Sequence, residues 1–397
     1  MKTIAYIAGQ FPKQSETFVW REVRELRRRG WTVHTFGLHA PNEETPPSLI
    51  DLREETTVIY ERFGKPTNLF ALAQGLHEGL GSSETELSDR LKLAIQSGIG
   101  AKLAREIRDR KVEHIHAHFA HAPTSVAMYA AQFAKVPFSF TGHANDLFQR
   151  RQALELKLTR ATFVACISEW HRELYRSIVP RGDVAYPVIR CGVDTNSWTP
   201  KSSHGSEGSL KLITVGRLVE KKGIDLLVEE VAQLLKSGRR ISLTIAGDGP
   251  QRAQLESIIL REGASDSIKL LGSTDSDCVR QLMLEHDAFA LPCRVDSKGD
   301  KDGIPVVLME AMACGLPVIS GDLPAVRELV SHQSSGLLVD SEKEGELRGA
   351  IQQLLDSVEL RRKLSIGGRD RVVSEFDLRR NVDRLVNSIT SCGRERE

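Results

Sequence analysis

Strand-like and helix-like segments alternate along both halves of the 397-residue chain. Near the start, the apolar run Thr3–Ala8 predicts a buried strand, apolar residues at helical spacing continue to about Gly30, and Trp31–Leu38 predicts a second strand. A strand, a helix and a second strand in this order form a βαβ unit, which requires a parallel sheet. A chain of this length fits two α/β domains of roughly 200 residues each better than one.

The first half continues with a predicted helix and three predicted strands, at Leu87–Arg108, Glu113–Ala117, Pro137–Thr141 and Ala161–Ile167. Residues 41–57 are acidic and contain prolines, so a surface loop is expected there. Ser, Gly, Asn and Pro cluster between Val193 and Ser209, which is typical of a linker.

The second half alternates more regularly. Its predicted strands are Leu210–Val215, Ile241–Ala246, Ile268–Leu271, Ala288–Leu291 and Val318–Ser320, and its predicted helices are Ile224–Ser237, Pro250–Gly263, one from about Asp277, and Pro305–Cys314. The fold class is therefore α/β, with two Rossmann-like, doubly wound domains that face each other across a cleft. We expect an N-terminal domain (1–192), a linker (193–208), a C-terminal domain (209–374) and a closing helix (375–397).

Charge and cysteine content exclude several functions. Lys+Arg (54) and Asp+Glu (53) nearly cancel, so no overall positive charge favours nucleic acid as a partner. The sequence shows neither a signal peptide nor about 18 consecutive apolar residues, and a soluble cytoplasmic protein is expected. The six cysteines form no C-x-x-C pair, which favours buried or incidental thiols over disulfides or a zinc site.

Glycines and cations follow three predicted strands of the second half. They are Gly216, Arg217 and Lys222 after the first strand, Gly247 and Gly249 after the second, and Gly303, Ile304 and Pro305 at a helix start after the fourth. Ligands of open α/β sheets bind beyond the carboxyl ends of the strands. Arginine and lysine neutralise phosphates, and the free N–H groups of a helix N-terminus favour an anion. We therefore predict a diphosphate pocket.

Two carboxylates, Asp302 and Glu310, flank the same helix start. One precedes the helix and the other lies about a turn and a half inside it, so both can face one ligand. The alternative is a capping aspartate and a surface glutamate. Because Glu310 lies within the apolar run Val306–Ala313, the functional interpretation is favoured.

The motifs GRLVEKKG, AGDGP and DGIPVVLMEAMACGLPVIS resemble those of the retaining nucleotide-sugar glycosyltransferases of family four, which have the GT-B fold. That resemblance implies that Arg217 and Lys222 bind the donor diphosphate, Glu310 holds the donor ribose, and Asp302 contacts the transferred sugar. Aspartate stands at Asp302 where the family usually has glutamate. Leu271 and the residues after it, up to Thr274, are expected to contact the base.

The N-terminal half resembles the bacterial exopolysaccharide transferases of the colanic-acid and amylovoran type through FPKQSETFVWREVRELRRRG, HAHFAHAPTSVAMYAA and SFTGHANDLF. By this resemblance His143 takes the place of the family's cleft histidine near the transferred sugar; a histidine that caps a turn is the alternative. The residues assigned to the acceptor side are Gln10, Ser15, Glu16, Thr17, His116 and His118. Gly9, which precedes Gln10, lines the same side and is also assigned to the donor site.

Three further patterns have competing interpretations. The His114, His116, His118 and His121 cluster has metal-ligand spacing, but no nearby Asp, Glu or Cys is evident in the sequence, so no metal is expected. Asp275 and Asp277, and likewise Asp300 and Asp302, match D-x-D, the pattern with which single-domain GT-A transferases bind a divalent ion. For the first pair we expect helix capping instead, and no obligatory metal. The basic stretches 27–29 and 105–111 are expected to be solvated, with lipid contact as the alternative.

The resulting hypothesis is retaining transfer of a hexose from an NDP-sugar to a hydroxyl of an oligosaccharide or lipid-linked glycan in exopolysaccharide or cell-surface glycan synthesis. No cofactor is expected besides the co-substrate, for which a UDP-sugar is slightly preferred over a GDP-sugar. Peripheral contact with the cytoplasmic face of the inner membrane stays open. The alternatives are a GT-B NDP-sugar epimerase or phosphorylase, and a non-catalytic nucleotide-sugar or glycan-binding protein.

Overall fold

The computed structural model describes residues 2–42, 44–80, 87–143, 152–180, 184–201 and 205–394. The chain divides into two compact units. The first unit contains Met1–Cys191 together with Leu378–Glu397, and the second contains Gly192–Asp377. The chain therefore passes between the units twice, after Cys191 and after Asp377. Residues 202–204 of the expected linker and residues 395–397 of the expected closing helix lie outside the described residues.

The first unit is an α/β unit around a six-stranded sheet. Its elements are β1 Thr3–Gln10, α1 Thr17–Arg28, β2 Thr32–His39, α2 Ile50–Glu55, β3 Thr57–Val58, α3 Ile59–Phe63, α4 Leu69–Leu80, α5 Leu87–Asp109, β4 His114–His118, α6 Ala122–Ala134, β5 Phe138–Gly142, α7 Leu154–Arg160, β6 Phe163–Cys166, α8 Glu169–Ile178 and, from the C-terminus, a helix over Leu378–Arg394. The strand order is β3-β2-β1-β4-β5-β6 and every pair is parallel. The order reverses between β1 and β4, which is the switch point where such sheets bind ligands.

Burial on one side explains how α1 attaches to this sheet. Val19, Val23 and Leu26 recur at helical spacing and are buried, together with strand residues such as Ile4 and Tyr6. The basic end of α1 is held in ion pairs: Arg27 with Glu55 (2.7 Å), and both Arg28 and Arg29 with Glu25 (2.7 Å each). The basic run is thus held in ion pairs within the first unit.

The prediction of a surface loop over residues 41–57 was wrong. A 3-10 turn over Pro47–Leu49, helix α2 and the start of β3 lie there. Leu49 and Leu52 are buried and anchor the segment to the core. Its described acidic residues are exposed, so the composition resembled that of a loop although two leucines are buried.

The C-terminal helix belongs to the first unit. Its residues Leu378, Val382 and Leu385 share the apolar cluster of α1 and β1. Arg29 of α1 donates to the carbonyl of Arg379 (2.8 Å) and pairs with Asp383. Helix α1 and this helix are therefore held together by apolar packing and by the polar contacts of Arg29.

The second unit repeats the same topology. Its elements are β7 Ser209–Val215, a 3-10 turn Glu220–Lys222, α9 Ile224–Lys236, β8 Arg240–Ala246, α10 Arg252–Arg261, β9 Ile268–Gly272, α11 Ser276–Glu285, β10 Ala288–Leu291, α12 Val306–Ala313, β11 Val318–Gly321, α13 Pro324–Arg327, β12 Leu337–Val339, α14 Glu346–Asp356 and α15 Val358–Glu375. The strand order β12-β11-β10-β7-β8-β9 is again parallel throughout and reverses between β10 and β7. We name the C-terminal helix α16.

Every strand and helix predicted for the second half is present, but two helices begin later than predicted. Pro250 lies in a turn before Arg252, and Pro305 is the N-cap of α12 with extended backbone angles. Gly315 follows the helix with a φ of 70°, as the C-terminal signal predicted.

The cysteines behave as expected for a reduced chain. Of the described cysteine side chains, five are free and three of these are buried. The side chain of Cys392 lies outside the described part. Among the described helices, none combines the length and apolar character needed to cross a bilayer.

Candidate active site

The loops that follow β7 and β10 bring four charged side chains together at the switch point of the second sheet. Lys222 Nζ lies 2.6 Å from an oxygen of Asp302. Lys221 Nζ lies 3.3 Å from the other oxygen of Asp302 and 2.9 Å from Asp300. The side chains of the pair Lys222 and Asp302 are only 16% and 13% exposed. The sequence placed Lys222 and Asp302 at this sheet edge but did not identify Lys221 and Asp300 as their partners.

Mutual attraction keeps Lys222 and Asp302 ionised despite burial. Burial favours the neutral form of Lys222, but the charge of Asp302 outweighs it and raises the pKa of the Lys222 ammonium. Burial also opposes ionisation of Asp302, and the two lysines overcome it, so the pKa of that carboxyl is lowered. The pocket thus contains charged groups that can exchange partners with an incoming anion.

Glycine is required where the backbone of this cluster turns. Gly223 ends the 3-10 turn that carries Lys222 and has a φ of 65°. A Cβ there would lie 2.1 Å from the carbonyl oxygen of Pro292, which follows β10. The close approach of the two loops therefore depends on the missing side chain.

The loops after β7, β8 and β9 are tied together by backbone contacts. The N–H of Gly216 donates to Ala246 (3.0 Å) and that of Gly247 donates to Gly272 (2.7 Å). A Cβ on Gly247 would lie 1.9 Å from the carbonyl oxygen of Gly216, and one on Gly249 would lie 2.6 Å from that of Leu218. The predicted glycines therefore permit close contact between neighbouring strand ends.

The remaining predicted donor residues surround this edge of the sheet. Arg217 is exposed directly after Gly216, and Leu271 near the end of β9 is 46% exposed although it is apolar. Gly303 and Ile304 are half-buried before Pro305, the N-cap of α12.

Glu310 does not lie on the protein surface. Glu310 is only 7% exposed within α12, so it is not a surface glutamate. Asp302 pairs with lysines, while the N-cap of α12 is Pro305, which makes no side-chain capping bond. The capping-and-surface alternative is therefore excluded.

The other D-x-D is a cap as predicted, since Asp275 accepts a hydrogen bond from the N–H of Cys278 (2.8 Å) at the start of α11.

In the first unit, Gly9 and Gln10 end β1 at the switch point. The side-chain amide of Gln10 donates to the carbonyl of Ala40 (3.1 Å). Ser15 is exposed, Glu16 pairs with Lys13 (3.1 Å), and Thr17 begins α1. These residues lie on the segment that joins β1 to α1.

The histidines of β4 are deeply buried. Both ring nitrogens of His116 contact hydroxyls, Nδ1 that of Ser139 (2.8 Å) and Nε2 that of Thr141 (3.0 Å). His116 is fully buried, so the structure does not bring it to the surface. His118 contacts His143, which follows β5, with 3.3 Å between His118 Nδ1 and His143 Nε2. Residues 144–148 of the motif around His143 lie outside the described part.

The expectation that no carboxylate accompanies these histidines was wrong. Helix α1 places Glu22 Oε1 3.1 Å from His118 Nε2. Glu22, His116 and His118 offer ligand atoms within 4.8 Å of one another, an arrangement that could hold a metal ion. Sequence reasoning missed Glu22 because it is 96 positions away from His118, on a different element. The sequence signal for its inward position was its helical spacing from Val19 and Leu26, which are buried.

Two family models match adjoining parts of the chain. Residues 15–197 match Glycosyltransferase Family 4, and residues 197–371 match Glycosyl transferases group 1. Together the two glycosyltransferase models cover residues 15–371, and the chain is a glycosyltransferase. The matches meet close to the first crossing between the two units.

Individual relatives span nearly the whole of this glycosyltransferase. The protein of Escherichia coli K12 named for colanic acid biosynthesis, WcaL, is 28% identical over 88% of this chain and 89% of its own length. The amylovoran biosynthesis glycosyltransferase AmsK of Erwinia amylovora is 26% identical over 84% of this chain and 86% of its own. The crystal structure of Anabaena Alr3699/HepE with UDP and glucose has a TM-score of 0.72 at 17% identity and covers 98% of this chain and 100% of its own. The fold is thus the GT-B fold.

Proposed function

We propose that this glycosyltransferase moves a hexosyl group, with retention of anomeric configuration, from an NDP-sugar to a hydroxyl of an oligosaccharide acceptor in exopolysaccharide synthesis. Similarity to WcaL and AmsK along most of the chain supports the pathway. We take a UDP-sugar as the proposed donor, because a structure of the same fold contains UDP. A lipid-linked acceptor is part of the proposal.

The observation that carries the proposal is the buried Lys222–Asp302 pair at the switch point of the second sheet. Arg217, Lys221 and Lys222 supply three cations after β7, and these are the groups proposed to bind an incoming diphosphate. Lys222 and Arg217 stabilise the negative charge that grows on the departing nucleoside diphosphate. The backbone N–H groups at the start of α12, near Gly303 and Ile304, add donors.

The proposed reaction is a front-face displacement. The bond between C1 of the sugar and the phosphate oxygen breaks while the acceptor hydroxyl forms a bond to C1 on the same face. The proton of that hydroxyl goes to the departing phosphate oxygen. Glu310 holds the donor ribose, Asp302 orients the sugar while it keeps Lys222 in place, and His143 contacts the transferred sugar. No metal ion takes part in this scheme.

The first test is a thermal-shift screen of the purified protein against UDP-, GDP-, ADP- and dTDP-sugars, with and without EDTA. A metal-independent rise in melting temperature with UDP-sugars, together with UDP release that requires an added glycan acceptor, is the expected result. An epimerase would convert the donor without an acceptor, and a phosphorylase would require phosphate. A binding protein would show the thermal shift without nucleotide release, and no shift with any donor would contradict the diphosphate pocket.

We also propose peripheral contact with anionic lipid, through the start of α4. Leu69 and Phe70 there are 80% and 73% exposed, and exposed Lys65 precedes them. Lys102 of α5 reaches the same place, where its ammonium donates to the carbonyls of Phe63 (2.7 Å) and Lys65 (2.6 Å). Apolar side chains beside cations suit a bilayer surface. Flotation with vesicles rich in anionic lipid should recover the wild-type protein but not a variant with serine at both apolar positions; equal recovery would contradict this contact.

A further inference from the structure

A chain of hydrogen bonds links four side chains of the first unit and ends at His143. We propose that Glu22 and His118 are positioning residues, which hold the His143 ring in one orientation and in the tautomer whose proton is on Nε2. The link to catalysis rests on the proposed function, in which His143 contacts the transferred sugar. The hydrogen-bond chain itself can be tested without any substrate.

The geometry of the chain is continuous from one side chain to the next. The Tyr6 hydroxyl donates to Glu22 Oε1 (2.6 Å), and the same oxygen lies 3.1 Å from His118 Nε2. The other nitrogen of His118 lies 3.3 Å from His143 Nε2. Each side chain comes from a different element: β1, α1, β4 and the end of β5. Four elements thus converge on His143.

Packing removes the other freedom of the two rings. The ring centroid of His143 lies 4.6 Å from that of Phe18 and 4.7 Å from that of Phe119. His118 is 2% exposed and His143 is 7% exposed. Rings enclosed in this way cannot flip without opening the core, so the hydrogen-bond partners decide which nitrogen carries the proton.

The Glu22 carboxylate sets the direction of the whole chain. A carboxylate only accepts hydrogen bonds, so Glu22 Oε1 selects the His118 tautomer with its proton on Nε2. In that tautomer His118 Nδ1 accepts from His143 Nε2–H. A neutral His143 is left unprotonated on Nδ1 and can only accept there. Burial first, and then the neighbouring His118, His171 and His121, hold the pKa of His143 well below its usual range, so this ring is neutral near pH 7.

A metal ion held by Glu22, His116 and His118 would use the same atoms in a different way. It would take the Glu22 and His118 atoms that form the first link, and a nitrogen of His116 that now contacts Ser139 or Thr141. Because each His116 nitrogen already has a hydroxyl partner, the hydrogen-bond chain is the better description. The metal content of the purified protein distinguishes the two.

The matched variants are Glu22→Gln and Glu25→Gln. Both residues lie on α1 with their side chains largely buried, but Glu25 pairs with Arg28 and Arg29, whereas Glu22 contacts His118. A glutamine at position 22 can either donate or accept, so it no longer imposes one direction on the chain. A glutamine at position 25 leaves the chain intact.

The primary measurement is the ¹⁵N NMR spectrum of the donor-free protein with ¹⁵N-labelled histidine, assigned with His118→Asn and His143→Asn. In the wild type and in Glu25→Gln, we expect His143 to carry its proton on Nε2; in Glu22→Gln the Nε2–H form should lose its dominance. A proton on Nδ1 of wild-type His143, an unchanged tautomer in Glu22→Gln, or stoichiometric bound metal would overturn the proposal.

Transfer kinetics separate this proposal from the proposed function. Glu22→Gln should lower kcat about 10- to 100-fold, the range for loss of a group that orients a functional histidine, with less than a threefold change in the donor KM. If the tautomer changes while kcat stays at the wild-type level, the hydrogen-bond chain stands and the assigned role of His143 in transfer is wrong. If the protein transfers no sugar at all, the NMR result still decides the proposal.

Discussion

Replacing Lys222 with alanine tests the assignment of the donor diphosphate most directly. The side chain is 16% exposed and its ammonium lies 2.6 Å from Asp302. The variant removes one positive charge from the pocket and leaves Asp302 with Lys221 at 3.3 Å. Because that second lysine still neutralises the aspartate, the variant should fold, and its main defect should be in the chemical step.

The size of the defect follows from the charge that develops on the leaving group. A lysine about 2.8 Å from a phosphate oxygen attracts a full charge by about 6 kcal/mol at an effective dielectric constant of about 20. If about half a charge develops in the transition state, Lys222 contributes about 3 kcal/mol. Since each 1.36 kcal/mol corresponds to a factor of ten in rate, kcat should fall about 150-fold.

The assay is acceptor-dependent release of the nucleoside diphosphate under saturating donor. The matched control is Lys236→Ala, which removes a lysine from an exposed pair with Glu262 at the same distance, 2.6 Å. Surface pairs contribute only about 0–1 kcal/mol, so this control should keep its full rate. A Lys222→Ala enzyme with kcat within threefold of the wild type would refute the assignment. A rise in KM alone would mean that Lys222 binds the donor equally in the ground and transition states.

Three further predictions concern the glycine contacts, buried histidine and buried arginine. Gly247→Ala should abolish donor-induced thermal stabilisation because its Cβ would lie 1.9 Å from the Gly216 oxygen, whereas Gly349→Ala, a helix site with open space, should retain it. Burial lowers the pKa of His114 from 6.5 to about 3, so in the unfolded chain this histidine takes up a proton below pH 6.5 and in the folded chain it does not. At pH 5.5 His114 should therefore contribute a loss of about 1.4 kcal/mol of unfolding free energy relative to neutral pH. His114→Asn should lose that part of the pH dependence, measured by urea titration with tryptophan fluorescence. Arg361 is fully buried and its guanidinium donates to the carbonyls of Leu354 and Ser206. Arg361→Ala should therefore destabilise the second unit by about 3–5 kcal/mol, measured by calorimetry. An unchanged thermal unfolding transition would contradict the structural role of this arginine.

The sequence predicted the elements because their signals are local. Buried parallel strands appear as short apolar runs, and α1 shows its buried face through Val19, Val23 and Leu26 within a single window. The glycines after β7 and β8 are also local signals, since each marks a strand end where backbones approach. The one long segment predicted wrongly, residues 41–57, has two buried leucines among acidic residues, too few to show a period.

Only the tertiary structure decided which of these residues meet. Lys222 contacts Asp302 across 80 positions, and Glu22 contacts His118 across 96. Such pairs depend on the order of strands in the sheet and on the rotation of a helix about its axis, and neither is encoded in a short window of sequence. The sequence by itself therefore determined the two α/β domains, the cations at the strand ends and the family, while folding decided that a carboxylate of α1 lies against the histidines of β4.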